Sequence, residues 1–339
     1  MIDRSDWVDY AKGIGIILVV YGHVARGLFN AGMDMPEKLY RLADSIIYSF
    51  HMPLFFFLSG LFFCKSVLNR GRLGFALSKI DTIVYPYLVW SILQGVVEAA
   101  MSNYTSGSAT FSEVFALWVP RAQFWFLYAL FFISIFSIAL YTFVSDKWFF
   151  AILILMAALY LLRPEFLRVS PVIYIINNFI YFALGVVFTK YDLGNRLSTL
   201  SSFAALAALF VLAQYLFHGY AGKVYTQRGM ESLLLASISI FFIIALSKTL
   251  SKYRYSGFLA HVGVCSMAIY LIHILAGSGT RVVLTKLVGV DVVSIHLLAG
   301  CVVGILVPLL VVKFTQAFNV RYVFSAPLSR SLHLREYTK

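Results

Sequence analysis

The sequence has few charged residues for its length. Of its 339 residues, only 12% are charged and 61% are hydrophobic. A soluble domain carries about 25% charged and about 45–50% apolar residues, so this chain has too little polar surface to cover a soluble fold. The composition excludes a soluble enzyme, a disordered chain, a collagen and a coiled coil. The apolar runs are continuous rather than alternating, which favours a polytopic α-helical membrane protein over a β-barrel.

The sequence also has few cysteines, and it shows neither a signal-peptide cleavage site nor an internal repeat. The three cysteines, Cys64, Cys265 and Cys301, lie in or beside apolar runs, and their spacing forms neither a disulfide framework nor a zinc site. We interpret them as small buried side chains that fill space between the apolar helices. No small-residue cleavage site follows the first apolar run, so we expect that run to be retained as a helix. No internal repeat, low-complexity tract or linker divides the chain.

Ten apolar runs approach the length needed to cross a hydrocarbon core of about 30 Å. They are 13–29, 45–64, 83–101, 124–144, 148–162, 172–189, 199–217, 230–247, 261–278 and 292–312. The fifth run is short, and the third contains Glu98. The sequence therefore predicts an all-α protein of about ten transmembrane helices, with one transmembrane domain over 1–312 and a basic tail over 313–339.

The charge balance predicts an orientation. The net charge is +12, from 27 Lys and Arg against 15 Asp and Glu. In a membrane protein, such an excess indicates cytoplasmic loops beside anionic lipid rather than a nucleic-acid partner. With the N-terminus inside, 17 basic residues fall on the cytoplasmic side and ten on the other. We expect both termini to be cytoplasmic, in a multi-pass protein of the inner (plasma) membrane that contacts membrane lipid.

Polar side chains inside the predicted helices collect at one depth. Four histidines fall in the outer halves of four different helices: His23, His51, His273 and His296. Trp125 opens the fourth helix from the same side. Ionisable groups in a spanning helix are costly and by default mark a site or a pathway. The alternatives are structural hydrogen bonds for the histidines and an interfacial belt position for Trp125.

A basic rim marks the opposite ends of the helices. Its members are Lys12, Arg70, Arg72, Lys79, Lys248, Lys252 and Arg254. Two interpretations explain such a rim. It is the excess of Lys and Arg that membrane proteins carry on their cytoplasmic side, or it is a binding site for a polyphosphate ligand. Lys12 and His23 are eleven residues apart, so they share one face of the first helix about 16 Å apart along its axis. Coenzyme A, with a charged head and a thin arm, suits that spacing.

Several segments resemble the membrane acyltransferase-3 family. Asp9–His23, in which a lysine is followed by ten residues and a histidine, resembles its first helix. Phe50–Gly60 resembles the second helix, Phe124–Leu127 the fourth-helix signature, and Ser266–His273 the late Tyr-Leu-x-His element. Position 12 is a lysine, whereas arginine is common there in other members of the family. In this feature the chain resembles the fucose 4-O-acetylase branch. The matching segments are spread over nearly the whole chain.

The resemblance implies an O-acetyltransferase that moves acetyl from cytoplasmic acetyl-CoA to a sugar hydroxyl of an exported, cell-surface or lipid-linked glycan, without a metal. On this basis we predict a catalytic group of His23, His51 and His273. The predicted CoA contacts are Lys12, Arg70, Arg72 and Lys79. The family's arginine near the start of the third helix is missing here, where Lys79 is the nearest cation. No SGNH-type domain is attached, so the chain acts alone or passes the acyl group to a separate protein.

The chemistry leaves alternatives open. His23 suits a general base or a transient acetyl carrier, and sequence alone does not separate these roles. Trp125 and Arg26 are predicted to bind the acceptor, although the position of Arg26 favours the alternative that it ends the first helix at the interface. Ser59-Gly60 is predicted to pack helices together. The competing function is a transporter or flippase of a lipid-linked sugar, but the repeated halves common in transporters are missing.

Overall fold

The computed structural model describes residues 6–101 and 111–331, and this part of the chain contains helices and no strand. The α-helices are α1 Trp7–Asn30, α2 Glu37–Tyr48, α3 His51–Leu61, α4 Phe63–Lys79, α5 Tyr85–Ala100, α6 Phe111–Phe115, α7 Trp125–Tyr141, α8 Phe149–Leu162, α9 Val172–Lys190, α10 Leu200–Gln214, α11 Met230–Lys252, α12 Gly257–Val264, α13 Ser266–Val283, α14 Val293–Ala317 and α15 Leu328–Ser331. The chain also contains three π-helical segments. Ile80–Val84 lies between α4 and α5, Tyr215–Tyr220 follows α10, and Leu284–Val288 follows α13.

Nine helical segments of the described residues are long and apolar enough to cross a membrane. The predicted all-α architecture of about ten membrane-spanning helices is confirmed, and the predicted fifth helix is not among these nine segments. The predicted helix 148–162 forms α8, whose 14 residues extend about 21 Å, less than a hydrocarbon core of about 30 Å. The third span is longer than predicted, because α4, the π-helix and α5 join into one segment over Phe63–Ala100.

Two predicted helices are divided. The run 45–64 separates into α2 and α3, which begins at His51, and Pro53 lies in the first turn of α3, where proline is tolerated. The run 261–278 is divided at Cys265 between α12 and α13. These breaks matter because each lies just before a histidine-bearing helix segment.

Helix α1 occupies the centre of the bundle and packs against α3, α11, α12, α13 and α14. Glycines permit close crossings of the helices. A Cβ atom at Gly13 would overlap the backbone of Leu259 in α12, and one at Gly60 would overlap the backbone of Phe182 in α9. Small residues let membrane helices approach closely in this way. The predicted packing role of Ser59-Gly60 is therefore confirmed for Gly60.

The two ends of the bundle carry different polar residues. We call the end that holds His23, His51, His273 and His296 the histidine side. The opposite end, the basic side, holds Lys12, whose Nζ lies 5.9 Å from the ring centre of Phe62 at the junction of α3 and α4. The polarity of α1 therefore separates the predicted catalytic group from the predicted CoA contacts.

After α14 the chain returns to the π-helix and α5. Helix α14 continues to Ala317, beyond the predicted limit at 312. The Trp90 indole Nε1 donates a hydrogen bond of 2.9 Å to the Val323 carbonyl. The Asp81 carboxylate accepts hydrogen bonds from the Ser329 backbone N–H at 2.7 Å and from its hydroxyl at 2.9 Å. Much of the predicted tail is thus part of the folded bundle.

Candidate active site

A cavity of about 280 Å³ lies beside the histidine-bearing half of α1. Helices α1, α13 and α14 supply most of its walls, and Ala122 borders it before α7. We call it the histidine cavity. Its lining residues are His23, Val24, Arg26, Gly27, Leu28, Asn30, Ala122, His273, Ile274, Gly277, Ser278, Arg281 and His296. The fold thereby brings three of the four predicted histidines into one space.

His23 projects from α1 into this cavity and is partly exposed. Its ring centre lies 5.1 Å from that of His273, with the two rings tilted by 57°. No hydrogen bond within the described chain occupies either ring nitrogen of His23. A neutral imidazole offers one donor and one acceptor. His23 is therefore available to a substrate hydroxyl or an acyl carbon.

Two buried histidines complete the wall of the histidine cavity. The Nδ1 of His273 donates to the Ile269 carbonyl at 2.9 Å, and the Nε2 of His296 donates to the Val290 carbonyl at 2.7 Å. A carbonyl oxygen only accepts, so the second nitrogen of each neutral ring is an acceptor. Both of these nitrogens are buried, and neither has a partner among the described residues. The wall thus presents two acceptors to a ligand.

His51, predicted to belong to the catalytic group with His23 and His273, does not line this cavity. Its Nδ1 donates to the Ile47 carbonyl at 2.8 Å. The ring of Tyr48 lies between the two histidines, with its centre 4.4 Å from that of His51 and 6.4 Å from that of His23. His51 is therefore connected to His23 through Tyr48.

Arg26 holds Tyr48 in this position. Its Nε donates to Asp44 Oδ1 at 2.6 Å, and its Nη2 donates to Asp44 Oδ2 at 2.9 Å and to the Tyr225 hydroxyl at 2.8 Å. The guanidinium carbon lies 3.2 Å from the centre of the Tyr48 ring. We call Arg26, Asp44, Tyr48 and Tyr225 the partition. Arg26 does not end the first helix, because α1 continues to Asn30.

A second cavity, of about 120 Å³, lies on the other side of the partition. We call it the aromatic cavity. It is lined by Tyr48, Ser49, Met52, Pro53, Trp125, Tyr160, Asn177, Asn178, Tyr181, Phe217, Tyr225, Arg228 and Ser232. Trp125, predicted to bind the acceptor, lines this cavity and not the one that contains His23. Its ring stacks on Tyr174 with centres 6.3 Å apart and planes 20° from parallel.

A constrained turn positions Trp125 at the start of α7. Ala122 has φ 42°, in the left-handed region that non-glycine residues rarely adopt. The buried amide of Gln123 donates to the amide of Gln94 at 2.6 Å. The Gln123 carbonyl accepts a hydrogen bond from the Tyr270 hydroxyl. Contacts from α5 and α13 therefore fix the turn, which also borders the histidine cavity.

The predicted CoA contacts lie on two helices, Lys12 on α1 and Arg70, Arg72 and Lys79 on α4. Lys12 Nζ lies 4.0 Å from the Asp9 carboxylate one turn earlier in α1. Arg70 and Arg72 are exposed in α4, where Gly71 between them has φ 70° and interrupts the helix. Lys79 ends the same helix. The sequence placed these three cations between two spans, whereas the structure places them on a helix.

Arg72 and Lys79 each contact a local group. Arg72 Nη2 donates to the Thr142 carbonyl at 2.8 Å. Lys79 Nζ lies 4.8 Å from the ring centre of Phe75. A cation over an aromatic face is stabilised without a counter-charge. These contacts hold the two side chains at the basic side.

The sequence analysis missed Arg281 and most of the partition. Arg281 lines the histidine cavity, and no carboxylate in residues 6–101 or 111–331 forms an ion pair with it. The predicted helix ended at 278, but α13 continues to Val283 and so carries Arg281 together with His273. Tyr225 meets Arg26 across 199 positions of the chain, a contact for which the sequence offers no signal. No group of three or more metal-ligating side chains occurs among the described residues.

Comparison with known proteins agrees with this arrangement of helices and polar residues. The family model described as an acyltransferase domain, of the acyltransferase-3 type, matches residues 5–313. The chain therefore belongs to the acyltransferase-3 family, as its segments predicted.

Two curated relatives are similar to parts of the chain. Nodulation protein NolL of Sinorhizobium fredii is 28% identical over 202 residues, which cover 56% of this chain and 50% of the relative. Nodulation protein NolL of Mesorhizobium japonicum is 32% identical over 95 residues, which cover 27% of this chain and 24% of the relative. The chain thus spans at most about half the length of these relatives. No solved structure matches the chain.

Proposed function

We propose that this protein is an O-acetyltransferase of the inner membrane. It transfers acetyl from cytoplasmic acetyl-CoA to a hydroxyl of a sugar in an exported or cell-surface glycan. Family membership supports acyl transfer. The observation that carries the proposal is the histidine cavity. Within residues 6–101 and 111–331, His23 has no hydrogen-bond partner there, and two buried histidines keep unpartnered acceptor nitrogens.

In the proposed reaction, His23 acts as the general base. It takes the proton of the acceptor hydroxyl while the hydroxyl oxygen bonds to the thioester carbonyl carbon. The carbon–sulfur bond then breaks, and the proton passes from His23 to the departing CoA thiolate. His273 positions His23, and Arg281, which has no carboxylate partner in the described chain, stabilises the negative charge on the carbonyl oxygen.

The alternative role of His23 is that of an acyl carrier. A ring nitrogen then bonds to the acetyl carbon as CoA leaves, and the hydroxyl oxygen displaces the imidazole in a second step. The acetyl group reaches the glycan directly or through a separate acyl-accepting protein. A protein-bound acetyl label that depends on His23 would distinguish the carrier from the base.

The donor approaches from the basic side. Lys12 and His23 share a face of α1 about 16 Å apart along the axis, a span suited to the thin arm of CoA. Lys12 contacts CoA phosphate, while Arg70, Arg72 and Lys79 add positive charge at the same end. With this end facing the cytoplasm, the acetyl group reaches the level of His23 without free CoA crossing the membrane.

The proposal is tested in inside-out membrane vesicles that receive acetyl-labelled CoA on the cytoplasmic face. The readout is label in a lumenal, base-labile ester of glycan. We expect wild type to label, His23→Ala to lose at least 99% of the label, and Lys12→Ala to label only at raised CoA concentration. His261→Ala, at an exposed position of α12, is the matched control and is expected to label normally.

Other outcomes would contradict parts of this proposal. Normal labelling by His23→Ala would make His23 structural and move the search to His273 and His51. If wild type never labels while glycan still crosses the membrane, the protein is a transporter rather than an acetyltransferase. Equal labelling from both faces of the membrane would contradict the proposed orientation.

A further inference from the structure

The walls of the aromatic cavity contain polar atoms that no group of the described residues satisfies. The Tyr48 hydroxyl and the Asn177 Oδ1 are buried and have no hydrogen-bond partner among the described residues. Both residues line this cavity. Buried polar atoms are nearly always paired, so two orphans in one small cavity indicate a polar ligand. A hydroxyl can donate and accept, and the amide oxygen accepts, which matches the hydroxyl groups of a sugar.

The walls of the cavity are aromatic. Trp125, Tyr48, Tyr160, Tyr181 and Tyr225 all line it. Aromatic walls with a few placed polar groups are typical of small-molecule sites, and aromatic faces pack against the C–H faces of sugar rings. The combination favours a ring that is apolar on its faces and polar at its edge.

One arginine, Arg228, lines this cavity, and the charge of a second, Arg163, acts on the first. Arg163 Nε is buried without a partner, and neither guanidinium forms an ion pair within residues 6–101 and 111–331. Guanidinium groups bind phosphate and carboxylate through paired, charge-assisted hydrogen bonds. The cavity therefore favours an anionic ligand.

We propose that the aromatic cavity is the acceptor subsite, and that it binds a sugar ring carrying an anionic group, phosphate or carboxylate, against Arg228 and Arg163. This assignment rests on the proposed acetyltransferase function. It places the acceptor across the partition from His23, so donor and acceptor occupy separate cavities before the reaction.

Within the partition, the Arg26 guanidinium is stacked on the Tyr48 ring. Arg26 lines the histidine cavity, whereas Tyr48 and Tyr225 line the aromatic cavity, and Arg26 contacts both tyrosines. Rotation of the Tyr48 side chain joins the two cavities and brings the sugar edge toward His23. In this arrangement, binding at the aromatic cavity controls access to the acetyl group.

A third cavity is a weaker candidate for the acceptor. It has a volume of about 320 Å³ and shares Ala122 and Arg281 with the histidine cavity. None of its lining residues carries an unpartnered buried polar atom. Its walls include Val97 and Met101, which suit an apolar chain better than a sugar ring.

The proposal is tested by calorimetry, which measures the binding of sugars to the full-length protein in nanodiscs of neutral phosphatidylcholine. The probes are hexose and 6-deoxyhexose 1-phosphates, hexuronic acids, the matching neutral methyl glycosides, and inorganic phosphate. We expect at least one anionic sugar to bind saturably and at least tenfold more tightly than its neutral glycoside and inorganic phosphate. The phosphate and uronic acid arms identify which anion is preferred.

Variants locate the binding site. Trp125→Leu should weaken binding of the sugar at least tenfold, and Arg228→Gln should reduce the preference for the anionic form below threefold. The matched controls are Trp118→Leu, at a residue 72% exposed, and Arg168→Gln, at an arginine paired with Glu165. Both should bind as wild type. Thermal unfolding in the same nanodiscs verifies that each variant is folded.

The outcomes separate this proposal from the acetyltransferase proposal. His23→Ala should bind the sugar normally, because it lies across the partition. Sugar binding that depends on Trp125 and Arg228 supports the subsite even if acetyl transfer is never observed. The subsite is refuted if no probe binds, if neither variant changes binding, or if inorganic phosphate binds as tightly as the sugar. Competition by added phosphatidylglycerol would assign the arginines to a lipid headgroup and also refute it.

Discussion

At the basic side, cations contact groups of the protein itself: Lys12 lies near a carboxylate, Arg72 donates to a backbone carbonyl, and Lys79 lies over an aromatic ring. At the histidine side, the buried rings of His273 and His296 each have one nitrogen without a partner in the part of the chain that the structure describes. A cation at an interface can rest on nearby groups at little cost, whereas a buried unpaired nitrogen destabilises the fold. From this difference we expect the histidine side to be preorganised for a ligand, and single cations of the basic side to be more replaceable.

The sharpest test of this difference is His273→Phe. It removes a buried nitrogen that has no partner among the described residues, but also the Nδ1 hydrogen bond to the Ile269 carbonyl. The two effects on stability oppose each other, so the melting temperature should change little, while acetyl transfer should fall about 100-fold or more. Transfer and thermal unfolding are measured on the same preparation. His261→Phe, at an exposed histidine, is the control. A large loss of stability with full activity would show that His273 serves packing alone.

The next test loosens the partition. Asp44→Asn weakens the paired hydrogen bonds that hold Arg26 over Tyr48, and we expect transfer to fall about tenfold. Glu37→Gln removes the charge of an exposed carboxylate that pairs with Arg41 in the same helix at 2.7 Å. Because exposed pairs contribute little, this control should change transfer by less than about twofold. Equal effects of the two variants would contradict a special role for the partition.

A smaller effect is expected at the basic side. Lys12→Ala should raise the KM for acetyl-CoA about tenfold, a loss typical of one charge-assisted hydrogen bond, with kcat nearly unchanged. Lys12→Arg should restore most of the affinity. Arg72→Ala should raise KM by less than about threefold, because its guanidinium already rests on a carbonyl and is exposed. If Arg72→Ala weakens acetyl-CoA binding more than Lys12→Ala, the ranking of the two cations is wrong.

The smallest effect is expected where the chain returns to α5. Ser329→Ala removes the hydroxyl bond to Asp81 but keeps the backbone bond of 2.7 Å. We expect a loss of about 1 kcal/mol in stability, seen as a lower melting temperature, and unchanged transfer. A change in the KM for acetyl-CoA would instead connect this segment to the donor site.

The sequence was sufficient for features that repeat along one helix. The spacing of Lys12 and His23 was predictable because a helix has a fixed rise and angle per residue. Tyr48 was not, because its role depends on how α2 folds back against α1 after an unpredicted start at Glu37. Trp125 was predicted to bind the acceptor, but its place in the wall of the aromatic cavity was not predictable, since a strained turn at Ala122 precedes it. Contacts between distant segments leave no periodic signal in one sequence.

The bonds between Asp81 and Ser329 join positions that are 248 residues apart. During synthesis Asp81 leaves the ribosome long before Ser329, and all the helices from α5 to α14 must be made in the interval. The basic side therefore acquires these two bonds only after the helices have been inserted. A nascent chain interrupted before residue 329 lacks these two hydrogen bonds. The basic side of its bundle would therefore be accessible to quality-control proteases.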